Sequence, residues 1–254
     1  MTGDELRAVF EPWRARNRRC AWRPEPSTEG SMTWLGGNPV GTAGDSWPVC
    51  STCSKPMRFL LQLDFDAIPS SSLPRPTSSL LQLFYCSTDD GTCETWRPHS
   101  GTHHFRTRTR DATIQSGPIE PLNRVLIGGW REFDDFPSAA EHTTLGIDYD
   151  YDFRAGVVAV RCADPPIVLP KLALEMEVAE IIANAAPGDK LLGWPSWVQG
   201  VEYPQCPRCE QYMSLVFQID SNDNLDYMFG DAGIAHVTRC NMHPDEFAFG
   251  WACG

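Results

Sequence analysis

Two Cys-x-x-Cys motifs have residue types and a spacing that suit metal binding or redox chemistry. The first contains Cys50 and Cys53 and runs straight into an apolar strand pattern within residues 47–64. The second contains Cys206 and Cys209, within residues 203–220. A gap of two residues lets both thiolates of a turn face one ion, but thioredoxin-like redox motifs share this spacing. One such motif alone does not decide between metal binding, redox chemistry and core packing.

A second pair of candidate ligands follows each motif, 33 residues after its last cysteine in the first copy and 31 residues after it in the second. Zinc prefers four soft or borderline ligands in a tetrahedral arrangement. The spacing therefore predicts two structural zinc sites, with Cys253 as the alternative to His243. The ligands are Cys50, Cys53, Cys86 and Cys93 in the first site, and Cys206, Cys209, Cys240 and His243 in the second.

Other interpretations of the cysteines remain open at this point. Reduced thiols also pack in protein cores as small hydrophobes, and Cys20 and Cys162, which have no partner pattern, are expected there. A redox dithiol is disfavoured because each motif precedes a strand and does not open a helix. The main alternative from another class is an enzyme that uses an open zinc site or the pair Cys240 and His243. Metal stoichiometry and ligand identity distinguish these alternatives.

The chain contains an internal duplication. Residues 47–64 align with residues 203–220 without a gap, at an offset of 156 residues that also carries Met57 onto Met213. Two copies of one segment in a single chain indicate two similar lobes, related by a pseudo-twofold axis.

The segments around the motifs read mainly as strands. Alternating or β-rich runs bounded by turn residues lie at 58–65, 79–86, 104–110, 144–153, 155–162, 214–220, 235–240 and 246–253. The predicted fold is therefore α+β and β-dominated, an internally duplicated two-lobe fold with zinc-knuckle-like Cys clusters. Its predicted parts are an N-terminal helix and arm (1–30), a first lobe (31–110), connecting strands and a helix (111–187) and a second lobe (188–254).

Two helices are also predicted. Thr2 and Glu5 form a capping box for the first, which Pro12 is expected to end. Its apolar face consists of Leu6, Val9, Phe10 and Trp13. The second helix ends at Pro187 and Gly188, and its apolar stripe consists of Leu174, Val178, Ile181 and Ile182.

Composition indicates a folded protein with an acidic surface. Of the 254 residues, 42% are hydrophobic, and the formal net charge is −12. An acidic surface repels phosphate, so a protein with a basic segment is a better candidate partner than nucleic acid. The N-terminus lacks an apolar signal region and no apolar run approaches the length of a membrane span. We therefore expect a cytoplasmic protein with reduced cysteines and no membrane partner.

Two features are candidates for partner binding. Asp148, Asp150 and Asp152 alternate along one predicted strand, where they would attract a basic segment. Trp194 and Trp197 could form a wall that holds a peptide, although large aromatic rings are more often part of a core.

Two further segments have alternative interpretations. Arg106, Arg108 and Arg110 share one face of a predicted strand, which would suit single-stranded nucleic acid. The acidic total favours ion pairs with the EFDD or DYDYD segments instead. Residues 220–231 place oxygen ligands as a calcium-binding loop does, but Leu225 stands where such a loop needs glycine. A capped acidic turn is the expected alternative.

Residues 217–253 resemble the bacterial YwqG-type family, a domain of unknown function. The matching residues include Gln218, Asp220, Leu225, Met228 and the segment 230–233. Upstream, WLGGNPV and WPVCSTCSKPMRFLLQLD resemble the start of that family and also programmed cell death protein 2. The resemblance covers residues 31–100 and 188–254, and it implies a duplicated, mostly β superfamily.

The resemblance also implies a role in handling other proteins. Eukaryotic members of the wider group escort a basic ribosomal protein, and bacterial relatives occur beside toxin systems as candidate immunity proteins. Many YwqG-type members lack the cysteines, so the zinc prediction depends on the spacing in this chain. The expected function is a non-catalytic protein-binding module stabilised by zinc, acting as a client-protein chaperone or a toxin-neutralising immunity protein.

Overall fold

Strands dominate the structure, a computed structural model that describes residues 2–42, 44–69, 76–88, 91–110, 113–152, 154–162, 167–170 and 175–254. The strands are β1 (Arg19–Ser27), β2 (Trp34–Leu35), β3 (Val40–Gly41), β4 (Arg58–Asp64), β5 (Leu80–Tyr85), β6 (His103–Arg108), β7 (Thr113–Ile114), β8 (Val125–Asp135), β9 (Asp148–Asp152), β10 (Val157–Arg161), β11 (Ile167–Pro170), β12 (Lys190–Leu192), β13 (Ser214–Asp220), β14 (Ile234–Arg239) and β15 (Phe247–Ala252). The helices are α1 (Gly3–Val9), α2 (Glu11–Asn17) and α3 (Glu175–Ile182), with short 3₁₀ turns at Ala139–Glu141 and Thr143–Leu145. The predicted β-dominated fold class is confirmed.

The chain divides into two compact units that are discontinuous in sequence. Unit 1 comprises Met1–Ala21, Phe133–Pro187 and Gly193–Glu202, and unit 2 comprises Trp22–Glu132, Gly188–Leu192 and Tyr203–Gly254. Both Cys-x-x-Cys motifs and both copies of the repeat therefore belong to unit 2. The division of the sequence into four consecutive parts stays a prediction.

The duplication is visible in the sheet order. Among the described residues, ten strands form one sheet in the order β15-β14-β13-β12-β1-β8-β2-β4-β5-β6. Strands β1 and β8 form the centre of the sheet. On one side of this pair lie β12, β13, β14 and β15, and on the other side lie β2, β4, β5 and β6. In each half the first strand is short, and the second strand follows a Cys-x-x-Cys motif. The pairing of Trp34 with Gln62 in one half reappears as Lys190 with Gln218 in the other, at the offset of 156 residues seen in the sequence. This arrangement confirms the duplicated fold.

The two copies share one apolar core. Strands β4, β5, β13 and β14 are buried along almost their whole length. Side chains from one face of both copies, such as Leu61 and Phe217, belong to the same cluster. The edge strands of the sheet also come together, because the ring of Phe105 on β6 lies 5.4 Å from that of Phe247 on β15. The sheet is thus nearly closed, and burial of its inner face is the main source of stability in this unit.

A buried polar chain lies on the other face of the first copy. Gln82 Nε2 donates to Gln62 Oε1 at 2.7 Å, and Arg106 Nε donates to Gln82 Oε1 at 2.7 Å. Both glutamines are fully buried. Because a buried polar group needs a partner, these contacts fix the register of β4, β5 and β6.

The arginines that follow on this strand form ion pairs within unit 2. Arg108 pairs with Asp45 at 3.0 Å, and Arg110 pairs with Asp64. The predicted partners, in the EFDD and DYDYD segments, are therefore wrong. Asp45, in the segment after β3, and Asp64, at the end of β4, are the nearer carboxylates and pair with these guanidinium groups.

The N-terminal helices form part of unit 1. The capping box is confirmed, since Thr2 Oγ1 accepts from Glu5 N and the Glu5 carboxylate accepts from Thr2 N. Val9, predicted to be on the buried face, is 48% exposed. Pro12 does not end the helical region; it stands in the first turn of α2, where a missing N–H is tolerated.

Helix α3 packs in the same unit. Val178 and Ile182 are fully buried, as predicted, while Leu174 lies outside the described residues. The helix ends before the predicted stop at Pro187, and the N–H of Ala186 donates to the buried carboxylate of Asp135 at 2.9 Å. None of the helices within the described ranges has the length and hydrophobicity that a membrane crossing requires.

Candidate metal centres

Each Cys-x-x-Cys motif lies in a tight hairpin that leads into a long strand of the sheet. In the first hairpin, Cys50 N donates to Lys55 O and Ser54 N donates to Cys50 O, both at 2.9 Å. Ser54, directly after the second cysteine, has a φ of 58°. The second hairpin repeats this geometry, with Glu210 also at 58°. The left-handed residue reverses the chain, which closes the hairpin around its cysteines.

The first hairpin brings its cysteines to Cys86, at the end of β5, and to Cys93. All four sulfur atoms lie within 4.8 Å of one another. Cys50 Sγ is 3.8 Å from Cys93 Sγ, and Cys53 Sγ is 3.7 Å from Cys86 Sγ. Four sulfurs at about 2.3 Å from a central ion would lie about 3.8 Å apart, whereas a disulfide needs about 2.05 Å. The spacing is that of a tetrahedral metal site.

The second hairpin builds an equivalent cluster with one imidazole. Cys209 Sγ lies 3.6 Å from Cys240 Sγ, at the end of β14. His243 Nδ1 lies 3.6 Å from both Cys206 Sγ and Cys240 Sγ. The shorter metal–nitrogen bond, about 2.0–2.1 Å, reduces the expected separation between sulfur and nitrogen to roughly 3.6 Å. This cluster can also hold a metal ion.

The remaining thiols are placed elsewhere. Cys253 belongs to neither cluster of candidate metal ligands. Its side chain packs against Gly230 instead: the Sγ lies 2.6 Å from the position that a Cβ on Gly230 would occupy. Cys20 and Cys162 are both exposed, so their predicted place in the core is wrong. Cys20 precedes the buried stretch of β1, and Cys162 follows the last paired residue of β10.

The thiols of the first cluster differ in how readily they ionise. The Thr88 hydroxyl donates to Cys53 Sγ at 3.5 Å, and this hydrogen bond is the largest of the effects that lower the pKa of Cys53 to about 6. Burial raises the pKa of Cys93 to about 12. A bound dication would favour the thiolate form of all four groups. Metal binding at this cluster therefore releases protons and depends on pH.

Two groups of converging metal ligands are present within the part of the chain that the structure describes. Each contains four protein ligands, which fill a tetrahedral coordination shell. Structural zinc sites have this closed arrangement, whereas catalytic sites keep one position for water or substrate. The geometry thus suits an ion that holds the fold together.

The acidic loop between β13 and β14 is a capped turn. Asp220 Oδ2 accepts from Gly188 N at 2.8 Å, and Asp223 Oδ2 accepts from Asp189 N at 2.7 Å. Backbone N–H groups already occupy these carboxylate oxygens. The calcium ligands considered for residues 220–231 are not among the converging groups found in the described residues.

The predicted partner-binding carboxylates lie on β9 in unit 1. Asp148, Asp150 and Asp152 are all exposed. Asp150 forms an ion pair with Arg161, and Asp152 Oδ1 accepts from the backbone N–H of Arg154 at 2.9 Å. Asp148, Asp150 and Asp152 are therefore on the surface.

The two tryptophans considered for the same role are more enclosed. Trp194 is 5% exposed, its Nε1 donates to Asn17 O at 2.7 Å, and the Arg19 guanidinium lies 3.3 Å above its ring. Trp197 is half-buried, and its Nε1 donates to Glu141 Oε1 at 2.8 Å. Trp194 thus offers almost no surface to a partner.

Sequence reasoning missed a cleft of about 980 Å³ in unit 2. Thr88, Cys93 and Trp96 line one side, and the loop after β13, including Asp226 and Met228, lines the other. Loops distant in the chain form these walls, so no local pattern could reveal it. The available signal was the presence of Tyr227 and Met228 among the acidic residues of this loop.

Comparison with known proteins places the chain in a family. Residues 33–248 match the family described as "Domain of unknown function (DUF1963)". No curated protein matches the chain. Because the match spans both copies of the repeat and both cysteine clusters, the chain belongs to the DUF1963 family.

Proposed function

We propose that the chain is a non-catalytic protein-binding module stabilised by two structural zinc ions. The observation that carries this proposal is the pair of closed clusters, each with four protein ligands at tetrahedral spacing. Zinc is the proposed ion because thiolate and imidazole are its usual ligands in tetrahedral sites. An ion held in this way supports the fold and offers no open position to a substrate.

The proposed partner is a protein with a basic segment. The net charge of −12 favours such a partner, and the exposed carboxylates of β9 provide a local concentration of negative charge. Charges of this kind act over about 8 Å at physiological salt, and they raise the association rate more than the final affinity. Nucleic acid is a poorer candidate because Arg106 is buried and both Arg108 and Arg110 pair with carboxylates.

A finer family relationship is part of the proposal. The duplicated β architecture supports a YwqG-type member, and the paired cysteine motifs support its relationship to programmed cell death protein 2. On that relationship, the chain would act as a client-protein chaperone or as an immunity protein that neutralises a toxin. The cytoplasm is the proposed location, because its reducing conditions keep the thiols available for metal.

Binding kinetics test the electrostatic part of this proposal. A partner would be isolated with the full chain from the native host, identified by mass spectrometry and purified. We expect its association rate to fall as salt rises. Charge reversal in the triple variant Asp148→Lys, Asp150→Lys and Asp152→Lys should slow association without unfolding the chain, as circular dichroism would check.

The matched control spreads the same change of charge over other exposed acids. Its substitutions are Glu29→Lys, Glu180→Lys and Glu202→Lys. The control should slow association less than the β9 variant. An association rate indifferent to salt would remove the electrostatic argument, and product formation in a turnover assay would remove the non-catalytic one.

A further inference from the structure

The cleft in unit 2 lies where the two copies of the repeat meet. One wall follows β5 and includes Thr88, Cys93 and Trp96; the other is the loop between β13 and β14. At one end the first wall is joined to β15, since the N–H of Trp251, which also lines the cleft, donates to Trp96 O at 3.1 Å. The ring of Tyr85 on the cleft lining packs edge-on against other rings of the shared core. The cleft is therefore part of a built interface between the copies.

The side chains at its surface combine apolar and anionic groups. Met228 is 56% exposed and Trp96 is 47% exposed, so both offer apolar surface to a ligand in the cleft. Asp223 and Asp226 lie on the same lining and are also exposed. Both also accept hydrogen bonds within the protein, Asp223 from Asp189 N and Asp226 from Asn123 Nδ2. Lysine and arginine side chains have the complementary composition, an apolar stem that ends in a cation. Indole rings attract cations, and methionine adapts its shape to varied ligands.

A cation also lines the cleft, but it is already engaged. Arg58 Nη1 donates to Glu120 O at 2.9 Å. Among the described residues that line the cleft, two exposed carboxylates outnumber the one arginine, so the net charge of the lining is negative. The site thus disfavours anionic ligands such as phosphates.

We infer that this cleft binds the basic segment of the partner protein in an extended form, with lysine or arginine side chains between Trp96, Met228 and the two aspartates. The inference rests on the proposed function and specifies where the contact occurs. The volume, about 980 Å³, is at the upper end of the range for small-ligand pockets. It accommodates a few residues of extended chain, at about 3.3 Å per residue.

The first metal cluster shapes this site. The wall formed by Thr88 lies between Cys86 and Cys93, which are two ligands of that cluster, and Cys93 itself lines the cleft. The second cluster is at the opposite end of β13 and β14 from the acidic loop. Loss of metal from the first cluster should therefore loosen the wall, while loss from the second should leave the cleft intact.

Titration with defined peptides tests the location. The probe is an acetylated and amidated peptide of six lysines, added to the full, metal-loaded chain, with a six-glutamine peptide as the neutral comparison. We expect the lysine peptide to bind and to shift the indole resonances of Trp96 and Trp251. The double variant Trp96→Ala and Asp226→Ser should weaken binding by about tenfold or more. The control pair Tyr212→Ala and Glu202→Ser, also exposed, should not.

Equivalent cysteines of the two clusters test whether metal binding at the first cluster supports peptide binding in the cleft. Cys50→Ser and Cys206→Ser remove the same ligand position from the two clusters, and neither residue lines the cleft. We expect the first substitution to weaken binding of the lysine peptide and the second to leave it unchanged. If Cys50→Ser prevents folding, the Trp96 and Asp226 variant still decides the location of the site.

The outcomes separate this inference from the proposed function. Equal binding of the lysine and glutamine peptides, or unchanged binding by the double variant, would overturn the cleft assignment. Retained salt-dependent binding of the natural partner would leave the protein-binding function standing in that case. If Cys50→Ser and Cys206→Ser change the affinity for the lysine peptide equally, the inferred link between the first metal cluster and the cleft is wrong.

Discussion

His243 completes a cluster whose other ligands are cysteines. Its Nδ1 lies 3.6 Å from two of the three sulfur atoms, so the ring faces the position of the ion. Around a zinc dication, four thiolates leave a net charge of −2, whereas three thiolates and a neutral imidazole leave −1. The two clusters thus share a geometry, but with zinc bound to each they would differ in charge by one unit.

Replacing the fourth ligand tests the assignment at the scale of one residue. We expect His243→Ala to lose the metal of the second cluster during dialysis against a weak chelator, because three remaining ligands do not close the tetrahedron. Cys253→Ala serves as the matched control and should retain it. Metal content by elemental analysis is the measurement. An empty second site in Cys253→Ala together with a full one in His243→Ala would reverse the assignment.

The residues that converge in each cluster could be predicted from the sequence because the distances along the chain are short and repeat. Each Cys-x-x-Cys pair lies in one hairpin, and the next ligand, Cys86 or Cys240, directly follows the neighbouring strand. The cleft residues lack such a pattern. Trp96 and Asp226 are brought together by the pairing of whole copies of the repeat, which no local spacing records.

At the scale of elements, the central strands β1 and β8 escaped prediction because their sequences contain breakers. The first reads RCAWRPEPS and the second VLIGGWREFDD, with prolines in one and two glycines in the other. The glycines have a packing reason. A Cβ on Gly128 would lie 2.4 Å from the Cβ of Ser27 on β1, so the two strands approach too closely for a side chain. Strands such as β4, β5, β13 and β14 could be predicted because their sequences are rich in apolar residues, which the structure buries.

Substitution of this glycine tests the close approach of β1 and β8. Gly128→Ala should lower the free energy of unfolding by about 1–3 kcal/mol, because the added Cβ would lie 2.4 Å from the Cβ of Ser27 and would force β1 and β8 apart. Adding Ser27→Gly should restore part of the loss because it removes the atoms that clash. Denaturant unfolding followed by circular dichroism measures both effects.

The control is Gly200→Ala, because a Cβ at Gly200 would have no atom within 4 Å. This substitution should change stability by less than about 0.5 kcal/mol. Equal stability of Gly128→Ala and the wild type would show that β1 and β8 are spaced more widely than this account requires.

At the scale of the whole molecule, the two copies of the repeat form the two halves of one sheet in unit 2. Both copies in unit 2 contribute to a single apolar cluster, and the edge strands β6 and β15 meet. The duplication and the β-dominated class were predictable from the offset of 156 residues and the strand patterns. The shared core was not, because alternation shows which face of a strand is buried but not what covers it.

Each cluster of candidate metal ligands joins a hairpin to the end of a neighbouring strand. In the first copy, Cys53 meets Cys86, 33 positions further along the chain, and in the second copy Cys209 meets Cys240, 31 positions further along. Closing such loops reduces the freedom of the unfolded chain, so a metal bound only in the folded state adds directly to stability. The ions are therefore expected to account for a large part of the stability of unit 2.

The metal content of the purified chain is the most direct test of the central claim. Elemental analysis should find close to two zinc ions per chain, one for each cluster, and about one in either Cys50→Ser or Cys206→Ser. Because the ligands must be thiolates, a chelator at mildly acidic pH should remove the metal and lower the melting temperature. A well-folded preparation without metal, with the same melting temperature as the untreated chain, would contradict the account.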